Sequence, residues 1–273
     1  MRLCLLVLFL SYRLLAFHNV ESEDLTVHID TEESFLPIYI GEIFLEDAGF
    51  STNYIQKLEE ILKFDFNHNA STVVLEDSTS RKKLLLEEGF DPIINRVRWR
   101  KLNTAYLLKL RILEKKISIH AFAINEDLSK SVLDLPLSGE LNNDRRRIHQ
   151  IADSLHKSFF GIKGIASSRI LFSKQIQNLK LPSDKWISEI WESDYDGANA
   201  QQITHENASC KLPVYLPPKA GYLSGSFFYV SDRTGQQKIF VASLRDGIGR
   251  RFSYLGGQQL MPEISYQRNK VVF

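Results

Sequence analysis

The sequence predicts an α/β domain followed by the start of an all-β propeller. The propeller is indicated by a module near the C-terminal end that occurs twice and then begins a third time. Three of its residues recur 50 positions further along the chain: Ser193, Asp196 and Gly197 return as Ser243, Asp246 and Gly247. A repeat of about 40 to 50 residues with several short strands and one Asp-Gly turn is typical of a propeller blade. The residues before the repeat alternate between strand and helix patterns, which indicates the α/β domain.

The composition is that of an ordinary folded protein. The chain has 273 residues, of which 44% are hydrophobic and 25% charged, and its formal net charge is +1. This balance gives no general attraction to nucleic acid. A local basic cluster surrounds Trp99, and it consists of Arg96, Arg98, Arg100 and Lys101. We interpret the cluster as an exposed strand or loop face beside a buried tryptophan, with a nucleic-acid patch as the alternative.

The N-terminus predicts export. A basic residue precedes the apolar run Leu3–Leu10, which is too short to span a bilayer and has the length of a signal-peptide core. Cleavage is expected after Ser22, with Ala16 as the other candidate, so residues 1–22 would form the signal peptide. An uncleaved membrane anchor is the alternative. The mature chain would then keep one cysteine, Cys210, and form no intramolecular disulfide.

The first elements of the α/β domain follow this leader. Leu25–Asp30 alternates apolar and polar residues, which is the pattern of a strand with one buried face, and a second apolar stretch covers Phe35–Phe44. Apolar residues then recur at helical spacing behind the possible caps Ser51 and Thr52. Strand character returns at Thr72–Glu76.

The second half of this domain predicts a helix, a three-stranded meander and a final helix. The first helix contains Leu84–Leu86, is entered through Ser78–Ser80 and is stopped by Gly89 and Pro92. Alternating apolar residues predict the strands of the meander at residues 108–112, 117–123 and 131–137. The final helix carries one apolar stripe, is expected to be capped by Asn143 or Asp144, and ends at Gly161.

We expect the α/β domain to cover residues 23–164 and the propeller to cover residues 165–273. Gly161 and Gly164 end the last helix, and the chain passes directly into the first propeller strand. The two parts should therefore move little against each other, with a hinge at the glycine pair as the alternative. The propeller part holds about two blades and the start of a third, whereas closed rings need about four to eight. The chain is therefore predicted to be a truncated protein or an expressed fragment.

The sequence carries no familiar catalytic motif. It lacks the G-x-S-x-G elbow, the G-x-G-x-x-G loop, the P-loop and the H-E-x-x-H helix. His149, Asp153 and His156 share one helix face and have a spacing that could bind a metal. That face lies opposite the apolar stripe, so we expect it to be a solvated polar surface.

The conspicuous residues of the repeats have structural interpretations. Asp194, Asp196 and Asp246 could suggest calcium binding or catalysis, but an Asp-Gly pair at the end of a strand more simply supplies a turn. Three apolar strand residues are expected in the core between blades: Trp191, Phe240 and Val241.

These features together resemble the TolB family, the periplasmic propeller proteins of the Tol-Pal envelope system. The resemblance rests on the export signal, the α/β domain, the junction "GIKGIASSRILF" (Gly161–Phe172) and the strand and turn "SDYDG" (Ser193–Gly197). It extends over nearly the whole mature chain. The blade signature S-P-x-W-S-P-D-G of the family is degenerate here, since Lys211–Gly221 lacks its Trp and Asp and the second copy keeps only Pro262.

The resemblance implies a binding protein without enzymatic activity or cofactor. The complete protein would have a six-bladed propeller, work in the periplasm, and support outer-membrane integrity and envelope constriction during cell division. Its propeller would bind the lipoprotein Pal, and no Pal contact can be transferred to this chain. Its N-terminal segment would bind the inner-membrane protein TolA, and by position this segment is Asp24, Leu25, Thr26, Val27, His28, Ile29 and Asp30.

Two other functions remain open from the residues alone. One is a peptidase of the prolyl oligopeptidase type, in which the propeller gates a catalytic domain that would follow residue 273. The other is a secreted propeller that binds carbohydrate or an unrelated partner. Full gene length separates them, because a six-bladed binding protein needs about 430 residues and a gated peptidase about 650 or more.

Overall fold

A six-stranded mixed sheet with helices on both faces forms the first half of the fold. This computed structural model describes residues 35–177, 186–218 and 225–273, and Phe35–Phe273 forms one compact unit. The predicted signal peptide and the predicted strand Leu25–Asp30 lie outside the described residues. The elements of this half are β1 Leu36–Ile40, β2 Phe44–Glu46, α1 Thr52–Asn67, β3 Thr72–Val74, α2 Thr79–Glu88, α3 Arg96–Lys101, β4 Tyr106–Leu113, β5 Lys116–Ala123, β6 Leu128–Pro136 and α4 Leu141–Phe160.

The sheet combines parallel and antiparallel pairs. Its strand order is β3-β1-β4-β5-β6, and β2 pairs with β4 beyond the end of β1. β1 runs parallel to both β3 and β4, while β4, β5 and β6 form the predicted antiparallel meander. Because successive side chains of a strand point to opposite faces, each strand contributes to two cores. Ile38 and Leu108 face α1 and α4, whereas Tyr39 and Leu107 face α2 and α3.

The caps predicted for the first two helices are confirmed. Ser51 precedes α1, and its hydroxyl accepts a hydrogen bond from the Tyr54 amide. Ser78 caps α2 in the same way, and Gly89 ends that helix with a φ of 58°. Both caps satisfy amide groups that a first helical turn leaves without a partner.

Two local predictions were wrong. The basic cluster around Trp99 is the short helix α3, rather than a strand or loop face, although Trp99 is buried as expected. Helix α4 begins at Leu141, so neither Asn143 nor Asp144 is its cap. Asp144 is instead fully buried, and it accepts hydrogen bonds from the backbone amides of Ser138 and Gly139, just before the helix.

Antiparallel strands make up the second half of the fold, in three separate sheets. The first sheet joins β7 Arg169–Gln177, β8 Trp186–Asp194 and β9 Gln201–Gln202. The second has β10 Cys210–Tyr215, β11 Ser226–Ser231, β12 Lys238–Ser243 and β13 Arg250–Arg251, and the third pairs β14 Glu263–Ile264 with β15 Val271–Val272.

The repeated Asp-Gly turns form as predicted. Asp196 and Asp246 each accept a hydrogen bond at Oδ1 from the amide two residues on, at 3.0 Å in both copies. Gly197 and Gly247 follow with φ values of 81° and 64°, a left-handed conformation that glycine adopts without strain. The recurring sequence therefore encodes the same turn twice.

The core prediction for the repeats holds for two of its three residues. Phe240 is buried, and Val241 is half-buried but packs against an apolar cluster that joins the second and third antiparallel sheets. Trp191 is half-buried. The Trp191 ring lies 4.4 Å from the ammonium group of Lys174 on the neighbouring strand, so one of its faces meets a cation instead of apolar side chains. Among the described residues, no helix is long and apolar enough to cross a membrane.

Candidate functional site

A cluster of buried and half-buried charged side chains lies where α1 and α4 meet the first antiparallel sheet. We call it the junction cluster, and it consists of Asp65, Arg145, His149, Arg169, Asp194 and Asp196. Asp65 belongs to α1, Arg145 and His149 to α4, and the remaining residues to β7, β8 and the turn after β8. It joins residues that are far apart in the sequence.

His149 stands at the centre of the cluster. Its side chain is 2% exposed, and its Nδ1 lies 2.8 and 2.9 Å from the two carboxylate oxygens of Asp65. Its Nε2 lies 3.6 Å from Asp196 Oδ2, which is beyond hydrogen-bond distance. Burial raises the pKa of the Asp65 carboxyl above its ordinary value, and the bonds from His149 oppose this shift without cancelling it. Nδ1 is hydrogen-bonded to the Asp65 carboxyl group, and Nε2 faces the turn after β8.

Arg145 and Asp196 form the ion pair that joins α4 to this turn. The exposed fractions of the two side chains are 17% and 5%. Burial lowers the pKa of the Arg145 guanidinium, and the carboxylates of Asp194 and Asp65 raise it. Because an unpaired charge at this depth is costly, removal of either partner would leave the other without charge compensation.

A second ion pair fastens the strand that leaves the junction. Arg169 lies 3.1 Å from Asp194 Oδ1 and 3.0 Å from Glu192 Oε2. Arg169 and Asp194 are also register partners of β7 and β8, so the charges reinforce a backbone pairing. The guanidinium thus closes the end of the first antiparallel sheet beside the Asp196 turn.

The loop between α4 and β7 is tied back to the helix by Asp153. Its carboxylate accepts hydrogen bonds from the amides of Ala166 at 2.8 Å and Ser167 at 3.0 Å. A Cβ at Gly164 would lie 2.3 Å from Asp153 Oδ1 and 2.7 Å from Asp153 Cα, so a side chain cannot fit there. The second glycine of the junction is therefore required by close packing.

Tyr195 adds an uncharged contact to the same region. Its hydroxyl donates to the backbone carbonyl of His68, and its ring meets the edge of Phe64 at a centroid distance of 6.0 Å. Both contacts are with α1 or its C-terminal cap. The turn after β8 therefore touches both helices of this face.

The predicted solvated face of α4 is corrected by this arrangement. His149 and His156 are 2% and 4% exposed, and Asp153 is half-buried, because the Asp196 turn and residues 161–166 cover the helix. The three side chains do not converge: His156 Nε2 lies 3.2 Å from Ser71 Oγ, while His149 and Asp153 have the partners given above. Within the described part of the chain, no group of three or more His, Cys, Asp or Glu residues could hold a metal ion.

A cavity of about 250 Å³ lies beside the cluster, between α4 and β7. Arg146, His149 and Arg169 are among the residues that line it. The buried Nε2 of His149 and Nε of Arg169 have no hydrogen-bond partner within the described structure. The charged groups otherwise neutralise one another in pairs, so the arrangement is suited to holding two layers together.

Sequence reasoning singled out His149, Asp194 and Asp196, but it assigned them to a solvated face and a turn and did not predict the cluster that they form. Asp65 carried a usable signal, because it follows Ile61 and Leu62 at helical spacing and so lies within the apolar stripe of α1. A carboxylate in such a stripe requires a buried partner. The predicted partner-binding residues, Asp24–Asp30, lie outside the described residues.

Comparisons with known proteins give a consistent result. No protein-family model matches the chain. The chain is 40% identical over 260 residues to a TolB homolog of Protochlamydia amoebophila and 28% identical over 258 residues to one of Chlamydia caviae. These alignments cover 94% and 93% of this chain but 54% of each relative, so the chain spans about half the length of the curated relatives it matches.

A solved structure resembles the described fold. It is the crystal structure of TolB from Acinetobacter baumannii, with a TM-score of 0.60 and 16% sequence identity. The match covers 88% of this chain and 55% of that one. The architecture of a mixed sheet followed by small antiparallel sheets is therefore of the TolB type. At the level of sequence, the chain resembles TolB homologs over nearly its whole length, which confirms the predicted resemblance to that family.

Proposed function

We propose that this chain is part of a non-enzymatic adaptor of the Tol-Pal system that works in the periplasm. The observation that carries the proposal is the 40% identity to the Protochlamydia TolB homolog over 94% of the chain. The adaptor binds a TolA-like inner-membrane protein and a Pal-like lipoprotein, and so supports outer-membrane integrity and envelope constriction during cell division. It uses no cofactor.

In this proposal, residues 23–164 are an α/β domain and residues 165–273 are the beginning of a six-bladed propeller. The strand content of the sheets supports this. The second antiparallel sheet has four strands, the number typical of a blade. The first sheet has three, and β7 pairs with β8 alone among the described strands, which leaves one edge for a further strand.

The TolA-binding segment is placed at Asp24–Asp30. Its alternating pattern suits strand addition, in which backbone hydrogen bonds supply affinity and alternate side chains supply specificity. Five residues separate it from β1, which lies between β3 and β4 inside the mixed sheet. In this proposal, the partner therefore binds a segment that is joined by five residues to a central strand of the mixed sheet.

The junction cluster gives this adaptor a physical link between its two binding regions. It joins helices that pack on the mixed sheet to the first antiparallel sheet through Asp65, His149, Arg145 and Asp196. Binding at one region changes affinity at the other only if the two states of the protein differ in their interactions. We place such a difference at the junction cluster.

The test is a pull-down with the full-length mature protein as bait. Pal and the C-terminal domain of TolA are offered separately to the unmodified protein, to a deletion of residues 23–30, and to a variant in which residues 25–30 are scrambled. The scrambled variant tests whether the alternating pattern is what TolA recognises, because it keeps the composition and charge of the segment but loses its alternation.

Loss of TolA binding in both variants, with Pal binding retained, is the expected result. TolA binding that survives the deletion would remove the proposed site while leaving the adaptor function standing. Failure of the folded full-length protein to bind either partner would overturn the proposed function itself.

A further inference from the structure

Helices α2 and α3 present an exposed surface that combines aliphatic and basic side chains. We call it the α2–α3 surface. Leu86, Ile93 and Val97 are 70%, 75% and 58% exposed, and they come from α2, from the connection, and from α3. They lie close together, because Glu87 forms an ion pair with Arg98 at 2.7 Å and Glu88 accepts from the Asn95 amide at 2.8 Å. Clustered exposed apolar residues mark interaction sites more often than scattered ones do.

This surface is also the basic part of a nearly neutral chain. Residues 79–103 contain seven Lys and Arg residues against three Asp and Glu residues, while the whole chain has a net charge of +1. Lys83 and Lys101 are exposed and have no carboxylate partner within the described structure. Two cations and several aliphatic groups are therefore available to a ligand.

One of the three acidic residues, Glu88, points inward and fixes the connection between α2 and α3. Glu88 accepts a hydrogen bond from Trp99 Nε1 at 3.0 Å and pairs with the fully buried Lys109 at 3.2 Å. Lys109 also donates to the backbone carbonyl of Asp91 at 3.1 Å. The connection between α2 and α3 is thus fixed to the sheet beneath it, and the surface exists before any partner arrives.

A shallow groove of about 750 Å³ runs along α2 beside these residues. Lys83, Leu86 and Glu87 line it, together with the ion pair that Lys82 forms with Asp77 at 3.0 Å. The groove therefore offers an aliphatic group beside the ammonium of Lys83, which suits a chain segment with aliphatic side chains and a carboxylate.

We propose that the α2–α3 surface docks an acidic polypeptide segment of a partner protein that carries aliphatic side chains between its carboxylates. A nucleic acid fits less well, because Trp99 is buried and the half-buried ring of Phe90 already contacts Arg111 and His120, each at 4.5 Å. An anionic membrane surface is the other alternative, and the experiment separates it from the polypeptide.

The probe is a labelled synthetic peptide in which Glu and Leu alternate, titrated with the full chain and followed by fluorescence anisotropy. A peptide of alternating Glu and Ser tests the aliphatic contribution. A DNA duplex and phosphatidylglycerol vesicles test the two other ligands. Binding of the Glu-Leu peptide at least about tenfold tighter than the Glu-Ser peptide is expected, since burial of a few leucines is worth that much.

Two double variants test the aliphatic and the basic side chains of the surface separately. L86S/I93S removes aliphatic groups, and L45S/L133S is its matched control, with residues 51% and 57% exposed on other elements. K83E/K101E reverses charge, with K116E/K130E as its control on β5 and β6. Each surface variant should weaken binding of the Glu-Leu peptide about fivefold or more, and each control should change it less than about twofold.

The result that overturns the proposal is equal binding of the two peptides, equal effects of surface and control variants, or no saturable peptide binding below about 1 mM. Tighter binding of the duplex or of the vesicles, lost in K83E/K101E, would also overturn it and would assign the surface to that ligand. The outcome is independent of TolA and Pal binding.

Discussion

Arg145 of α4 and Asp196 of the turn after β8 form an ion pair although 51 positions separate them in the sequence. The Asp196 side chain is 5% exposed, and its Oδ1 is already used by the Ala198 amide of the turn. The same residue therefore shapes an Asp-Gly turn and fastens that turn to the helix layer. This double use links the repeat motif to the rest of the fold.

Replacement of Arg145 tests the strength of this link. Arg145→Met leaves the Asp196 and Asp65 carboxylates buried without a cation, and we expect the free energy of unfolding to fall by about 3 kcal/mol. Urea unfolding followed by circular dichroism measures the change. Arg146→Met is the control, because the neighbouring guanidinium is exposed and forms no ion pair in the described structure, and an effect within about 0.5 kcal/mol is expected. Equal losses in the two variants would contradict the assignment.

Asp144 predicts a pH-dependent contribution to stability. Burial alone would raise the pKa of this carboxyl, but hydrogen bonds from Ser138, Gly139 and Tyr54 outweigh burial and hold it below the ordinary value of 3.8. A lowered pKa in the folded state stabilises the protein above the pKa of the unfolded state, and the contribution is lost as the pH falls through the folded pKa. Asp144→Asn should therefore cost about 2 to 3 kcal/mol at pH 7.

The same comparison at acidic pH checks the sign. The difference between the unmodified protein and Asp144→Asn should shrink steadily as the pH falls below about 5, because the unfolded state then binds a proton at this carboxyl more readily than the folded state does. Asp127→Asn serves as the control, since its side chain is fully exposed and water screens its ion pair with Arg96, and it should leave the free energy of unfolding nearly unchanged at both pH values. A difference that stays constant down to pH 3 would mean that the Asp144 charge contributes nothing.

A Gly→Ala substitution should destabilise the two Asp-Gly turns by different amounts. Gly197 has open space where a Cβ would stand, whereas a Cβ at Gly247 would lie 1.8 Å from the backbone oxygen of Ile203. Gly197→Ala should cost about 1 to 2 kcal/mol for its left-handed backbone. Gly247→Ala should cost at least about 2 kcal/mol more, because the carbonyl must move. Urea unfolding of both variants measures the gap, and equal costs would contradict the close approach.

Neutralising Glu88 and neutralising Lys109 should lower the free energy of unfolding by different amounts. Glu88→Gln leaves the fully buried Lys109 ammonium without a carboxylate and should cost about 3 kcal/mol. Lys109→Met removes the buried charge itself and should cost under about 1.5 kcal/mol. The double variant should be more stable than Glu88→Gln alone, which thermal and urea unfolding both measure. A double variant less stable than either single variant would show that the pair is not the source of the cost.

Local signals in the sequence were sufficient for much of the fold. Ser78 and Gly89 delimited α2 because capping chemistry depends only on nearby residues. The Asp-Gly turns were predictable for the same reason, since a positive φ and an Asp side chain act within three residues. Helix α3 was missed because six residues are too few to show a helical period.

The candidate site could not be predicted because it depends on a turn and a loop that cover α4, and the apolar pattern of the helix carries no signal of them. Amphipathicity identified the apolar stripe of α4 correctly, and its other face was therefore assigned to solvent. His149 and His156 lie on that face and are buried, because the Asp196 turn and the loop before β7 pack over it. A helix face that is buried through ion pairs and hydrogen bonds carries polar residues. In a single sequence, such residues cannot be distinguished from residues exposed to solvent.

Calorimetric titration of the C-terminal domain of TolA into the full-length mature protein tests the central claim most directly. The proposed adaptor predicts saturable binding to the unmodified protein, no detectable binding after deletion of residues 23–30, and the same Pal affinity in both proteins. Equal TolA affinity with and without residues 23–30 would contradict the placement of the binding segment at Asp24–Asp30. Absence of TolA binding to the unmodified folded protein would contradict the adaptor function.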